Sequence, residues 1–213
     1  MQQLFLLIFL SISLLYSKSV TLNNKDLQKI RNSTNEKAIT IRLVKYLELK
    51  NKVKDFKLMK KLSHVNAFYN KILPINDAIK YNVDDHWATP KEFLINGHGD
   101  CEDYAIAKYF TLIETGIPKE KLFLSEVKVR GETNNHMVLL YFENKKAMPL
   151  VLDNLSFKVV PFNIRKKLKP KFIFNENDAF ILKNKRIYKR VNIYWGKVDK
   201  WQILKERVYL KNE

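Results

Sequence analysis

The chain contains one cysteine. In Gly97-His98-Gly99-Asp100-Cys101-Glu102-Asp103-Tyr104 it follows two glycines that permit a sharp bend, and it stands at or next to the start of a helix. Unsatisfied N–H groups and the helix dipole favour a thiolate there, which raises the reactive fraction of the thiol. The same N–H groups suit an oxyanion. Asp100, Glu102 and Asp103 act in the opposite sense, because nearby negative charge disfavours a thiolate. Two readings of these acids stand side by side. As hard oxygen donors they would take a Ca²⁺ ion, which would neutralise them and fix the loop. As ordinary acids at a helix start they answer the dipole, with Asp100 as a simple N-cap.

A catalytic thiol needs a base, and four histidines are available. His64 lies in a helical segment, at the surface or the core edge. His86 sits in a polar loop beside Trp87, and His98 lies within the Gly-x-Gly bend, where its direction is open. His136 opens the apolar run Met137-Val138-Leu139-Leu140-Tyr141-Phe142, and the next run, Pro149-Leu150-Val151-Leu152-Asp153-Asn154, ends on an acid. If the two runs pair as a hairpin, the start of one lies beside the end of the other, which joins His136 to Asp153. That is a base with its orienting acid. The alternative is a polar residue at a strand edge satisfied for structural reasons alone. A zinc site from Cys101 with His86 or His98 has no paired-ligand spacing behind it.

The elements that must position these groups fall in two halves. From residue 24 to about 73 the spacing is helical, with Leu62, Val65, Phe68, Tyr69 and Ile72 recurring at three- and four-residue steps. Pro74 ends this half, and residues 76–86 read as a loop. Thr89-Pro90-Lys91-Glu92 predicts a helix start, with Thr89 as N-cap, Pro90 in the first turn and Glu92 completing a capping box. Gly97 stops that helix, and the helix from Asp100 or Cys101 ends near Gly116. Beyond Lys121 the period becomes that of strands, over 122–129, 136–142, 150–154, 157–162, 179–182 and 186–195. Helices followed by hairpin-connected strands predict an α+β fold, a helical amino-terminal half packed on an antiparallel sheet.

With 213 residues, 46% of them hydrophobic, the chain can bury one sizeable core and is short for two. Residues 4–15 form an apolar run of signal-peptide length, followed by small serines. The expected organisation is a signal peptide over 1–19 and a single domain over 20–213, although no Lys or Arg precedes Leu4, and a buried amino-terminal helix or strand is the alternative. No cysteine near the cleavage point offers a lipid attachment. An exported chain with one thiol forms no internal disulfide, and a spare thiol in an oxidising compartment is a liability unless it has a task. The formal net charge of +17 falls outside residues 1–17, which carry no charged side chain. The lysines are spread along the chain among many asparagines, and the densest stretch, Arg165-Lys166-Lys167-Leu168-Lys169-Pro170-Lys171, lacks aromatics for base stacking and reads as a solvated loop. Nucleic acid is therefore not the expected partner; an acidic protein substrate is compatible with the charge.

The blocks Trp87-Ala88-Thr89-Pro90-Lys91-Glu92-Phe93-Leu94, Gly99-Asp100-Cys101-Glu102-Asp103-Tyr104-Ala105-Ile106-Ala107-Lys108-Tyr109, His136-Met137-Val138-Leu139 and Leu152-Asp153-Asn154 occur in this order. Together they resemble the bacterial transglutaminase-like cysteine proteinases, with the nearest likeness to the periplasmic LapG-type branch. The likeness runs from about residue 65 to 161 and leaves the amino-terminal fifty residues and the lysine-rich carboxyl end outside. It implies a papain-like fold and a Cys-His-Asp triad at Cys101, His136 and Asp153. It also implies Ca²⁺ dependence with Asp100, Glu102 and Asp103 as ligands. In that branch a large secreted adhesin is cut near its amino terminus, which frees cells from a biofilm, and an inner-membrane receptor for cyclic di-GMP holds the protease inactive. The resemblance thus implies a periplasmic cysteine endopeptidase with those two partners. Other acyl transfer on the same scaffold, by a transglutaminase or an amidase, remains open, as does a non-catalytic basic binding module.

Overall fold

The computed structural model describes residues 19–75 and 86–209. The apolar run at 4–15 and most of the loop read at 76–86 lie outside the described residues. Helices α1 (Asn24–Arg31), α2 (Glu36–Val53) and α3 (Leu58–Tyr69) lead to the short strand β1 (Leu73–Pro74). Then come α4 (Pro90–Asn96), β2 (His98–Gly99) and α5 (Cys101–Glu114). Seven strands follow: β3 (Leu122–Val129), β4 (Asn135–Tyr141), β5 (Leu150–Asp153), β6 (Ser156–Pro161), β7 (Leu168–Phe174), β8 (Ala179–Lys183) and β9 (Arg186–Arg190). Helix α6 (Lys200–Tyr209) closes the described chain.

The seven strands form one antiparallel sheet in the order β6-β5-β4-β3-β7-β8-β9. Alternation along β4 divides the core. Met137, Leu139 and Tyr141 join the cluster around α5, whereas Val138 and Leu140 join Phe123, Phe162, Ile173 and Phe180 in a second, smaller cluster. Helix α5 is buried on nearly every side, which is why its sequence is apolar all round rather than striped. It packs along β4 and against α3 and α4. The predicted α+β architecture is the observed one.

The start of α4 forms as predicted: Thr89 Oγ1 accepts from the Glu92 N–H at 3.2 Å, and Glu92 Oε2 accepts from the Thr89 N–H at 2.9 Å. Gly97 ends the helix in the left-handed region, φ +74°, against the Arg42 guanidinium, which donates to Leu94 O at 2.6 Å. One expectation is corrected. The basic stretch at 165–171 is not a solvated loop throughout, because Leu168 to Lys171 are the first half of β7, with Leu168 buried. Pro170 is admitted because the β3–β7 register shifts between Glu126 and Val127, at the very point where Val127 faces it.

Candidate active site

Cys101 is the first residue of α5 and is half-buried. Its Sγ lies 3.2 Å from Glu102 Oε2 and against the Met137 backbone N–H. Since Met137 follows His136, packing of α5 on β4 brings the thiol to the strand that carries the histidine. Burial pushes the thiol pKa well up, and the Glu102 and Asp100 charges add to that; the Met137 N–H opposes them. The flanking acids thus act in the direction their sequence position predicts, second to burial.

Asp153 ends β5 and is 1% exposed, so every atom that meets its carboxylate matters. Oδ1 accepts from His136 Nε2 at 2.9 Å and from the Leu155 N–H at 2.9 Å; Oδ2 is paired with Arg165. Burial alone would raise this carboxyl. His136, the Leu155 N–H and Arg165 outweigh it and hold Asp153 below the usual carboxylate range. An ionised carboxylate only accepts, so Nε2 of His136 carries the proton. In the neutral ring Nδ1 is then the basic nitrogen. The hairpin deduced from the two apolar runs is present, with Leu139 opposite Leu152 and Tyr141 opposite Leu150.

The other histidines are placed elsewhere. His64 packs edge-on against Phe56, and its Nδ1 lies 2.8 Å from Lys60 O. His86 lies beside Glu92 and Arg207, at the junction of α4 and α6. His98 belongs to β2, which pairs with β1 opposite Leu73. No group of three His, Cys, Asp or Glu side chains among the described residues is gathered as a ready metal cluster, which holds for the thiol–histidine zinc reading and for Asp100, Glu102 and Asp103 alike, so a Ca²⁺ ion would have to draw these acids together.

The acids around Cys101 are not equivalent. Asp103 braces the loop, accepting from the Ala88 N–H at 2.8 Å and from the Asp100 N–H at 3.3 Å. Glu102 is buried, and its pKa is pushed well up by burial and by the charges of Asp100 and Asp103. A cation here would relieve the mutual repulsion of Glu102, Asp100 and Asp103. An all-oxygen donor set under like-charge repulsion fits a hard divalent ion.

Gly99 is required by this packing. A Cβ there would fall on the Asp103 carboxylate and 2.8 Å from Phe93 Cε2, within the core. Gly99→Ala is expected to destabilise the fold by about 1–3 kcal/mol, as overpacking does, and to slow Cys101 alkylation by displacing Asp103. A thermal melt with a timed thiol-labelling assay checks both effects; unchanged values would mean the bend relaxes without cost.

Sequence reasoning did not single out Arg165, Asn70 or Lys108. Arg165 is hidden in a run of lysines. Lys108 does leave a signal, as the one cation in an otherwise apolar and buried stretch of α5 seven residues after Cys101.

The family model for bacterial transglutaminase-like cysteine proteinases matches residues 22–173. No curated protein sequence matches significantly. Among solved structures, EGTA-treated LapG of Legionella pneumophila is 29% identical, with 89% of this chain and 99% of that one covered and a TM-score of 0.72. The calcium-bound form of the same protein is 30% identical over 84% of this chain and 97% of that one, with a TM-score of 0.68.

Proposed function

This chain belongs to the bacterial transglutaminase-like cysteine proteinases, and from that membership we propose that it is a calcium-dependent periplasmic endopeptidase with Cys101, His136 and Asp153 as its triad. The observation that carries the triad is the Asp153–His136 hydrogen bond on the strand whose next residue, Met137, turns its backbone N–H to the thiol at the start of α5. Among the described residues no helix is long and apolar enough to cross a membrane. The LapG likeness supports a large surface adhesin as substrate, cut near its amino terminus to control biofilm attachment. It likewise supports an inner-membrane cyclic di-GMP receptor as inhibitor.

In the proposed reaction His136 Nδ1 takes the Cys101 proton, and the thiolate attacks a peptide carbonyl carbon. Backbone N–H groups at the start of α5 receive the oxyanion. As the C–N bond breaks, the departing amine takes the proton from Nδ1, leaving a thioester on Cys101. Water, losing a proton to Nδ1, then attacks the thioester and frees the thiol. Asp153 keeps the imidazole in the productive tautomer and stabilises its cation. A Ca²⁺ held by Asp100, Glu102 and Asp103 would supply positive charge beside the nucleophile.

Incubating the purified protein with an adhesin amino-terminal fragment tests this reading through product mass. Two fragments whose masses sum to substrate plus water are expected. A crosslinked product lighter by ammonia would make the protein a transglutaminase. No product, with Cys101 inert to an alkylating reagent, would leave a binding module.

A further inference from the structure

Lys108 is fully buried, at 0% exposure. A leucine or methionine would fill this place without the cost of an interior ammonium group. The amine donates to Asn70 Oδ1 at 2.7 Å and lies 5.7 Å from the Tyr104 ring centre. Burial pushes its pKa down to about 7, against the pull of the Asp153 charge.

Asn70 caps the end of α3. Its Nδ2 donates to Asp153 O at 2.8 Å and to Ser156 O at 3.0 Å, the two ends of the β5–β6 turn. An asparagine amide is nearly symmetric in shape, so what it meets decides its orientation. Flipped, Asn70 would set its oxygen against two carbonyl oxygens and its NH₂ against an ammonium. Lys108 and the two carbonyls together therefore select the orientation that grips the turn, with the amine fixing the oxygen side of the amide. The grip also has a fixed origin: Cys101 and Lys108 are two turns apart on α5, on one face of a helix.

We propose that Lys108 is a positioning residue for Asp153, acting through the Asn70 amide to hold the turn that presents the triad acid in register with Cys101. This inference rests on the triad reading above. It assigns to one buried side chain the coupling between the helix of the nucleophile and the strand of the acid.

The test compares Lys108→Met, Asn70→Ala and the double variant with wild type. Measured are kcat and KM on a peptide substrate, Tm, and the NMR signal of the His136 Nε2–H proton, which reports its bond to Asp153. Expected for Lys108→Met are a kcat lower on the order of 10- to 100-fold with KM unchanged, an undiminished Tm, and a broadened or lost Nε2–H signal. The double variant is expected to be no worse than Asn70→Ala, because the two residues act in series. Wild-type kcat with an unaltered Nε2–H signal in folded Lys108→Met would overturn the proposal, as would losses that add in the double variant. A fall in Tm with kcat retained would make Lys108 a structural residue only. If Lys108→Met does not fold, Asn70→Ala decides by the same kcat and NMR criteria. A wild type that hydrolyses nothing defeats the protease reading instead, and the Nε2–H signal then still decides the positioning role.

Discussion

Cys101→Ala and His136→Ala are each expected to lower kcat/KM for a cleaved peptide by about 10⁴-fold or more, the scale of losses when a triad member is removed. The reason lies in the state of the thiol. Burial and the neighbouring acids hold Cys101 protonated, so its proton must have a receiver, and Nδ1 of His136 is the one left basic by the Asp153 bond. Without the imidazole the nucleophile stays a thiol; without the sulfur nothing replaces it. On the proposed triad the two losses should not add in the double variant, because thiol and imidazole then act as one unit. His98→Ala and His86→Ala serve as controls that leave the hydrolysis rate largely intact. Timed alkylation of Cys101 gives a check that needs no substrate: it should slow markedly in His136→Ala. Full activity in His136→Ala with loss in His98→Ala would move the base to His98.

How far this site could be read from sequence depends on the range of the interaction that builds each part. The His136–Asp153 pair was legible because hairpin geometry is local: two apolar runs with their polar residues at adjoining ends leave little choice of register. The start of α4 was legible because a capping box spans four residues. Strand β7 was not, since Lys166, Lys167, Lys169 and Lys171 with Pro170 mask the alternation of Leu168, Phe172 and Phe174, and a shifted register accommodates the proline. Helix α6 carries Trp201, Leu204 and Val208 at helical spacing, yet it lies beyond the elements predicted from the sequence. The predicted strand over 186–195 stops at Arg190, although the Val191 N–H still reaches Ala179 O at 2.9 Å. Arg165 and Asn70 act on Asp153 across 12 and 83 residues of chain, and no local pattern announces contacts of that range.

Removing divalent cations with a chelator is expected to abolish hydrolysis and to lower Tm, with both restored by Ca²⁺ and not by Mg²⁺. Glu102 is a buried carboxyl whose pKa is pushed well up by burial and by the charges of Asp100 and Asp103. Without a cation these acids either share protons or repel, and their charge also raises the thiol of Cys101. Opposite charges about 4 Å apart attract by about 4 kcal/mol at an effective dielectric near 20. A divalent ion among these acids therefore removes the repulsion and makes the thiolate easier to form. Ca²⁺ suits an irregular set of oxygens, whereas Mg²⁺ requires a near-octahedral one and gives up water reluctantly. Binding to the native state alone adds stability by mass action, about 2.7 kcal/mol at a concentration 100 times Kd. Glu102→Gln separates this effect from simple relief of charge: it removes one acid from beside the thiol and one of the proposed ligands from the ion. Its Tm should no longer respond to Ca²⁺, and its hydrolysis should remain low with or without the ion. Chelator-treated wild type that cleaves at the full rate would leave the thiol protease intact and remove calcium from its mechanism; the acids at the start of α5 would then serve the helix and the loop alone.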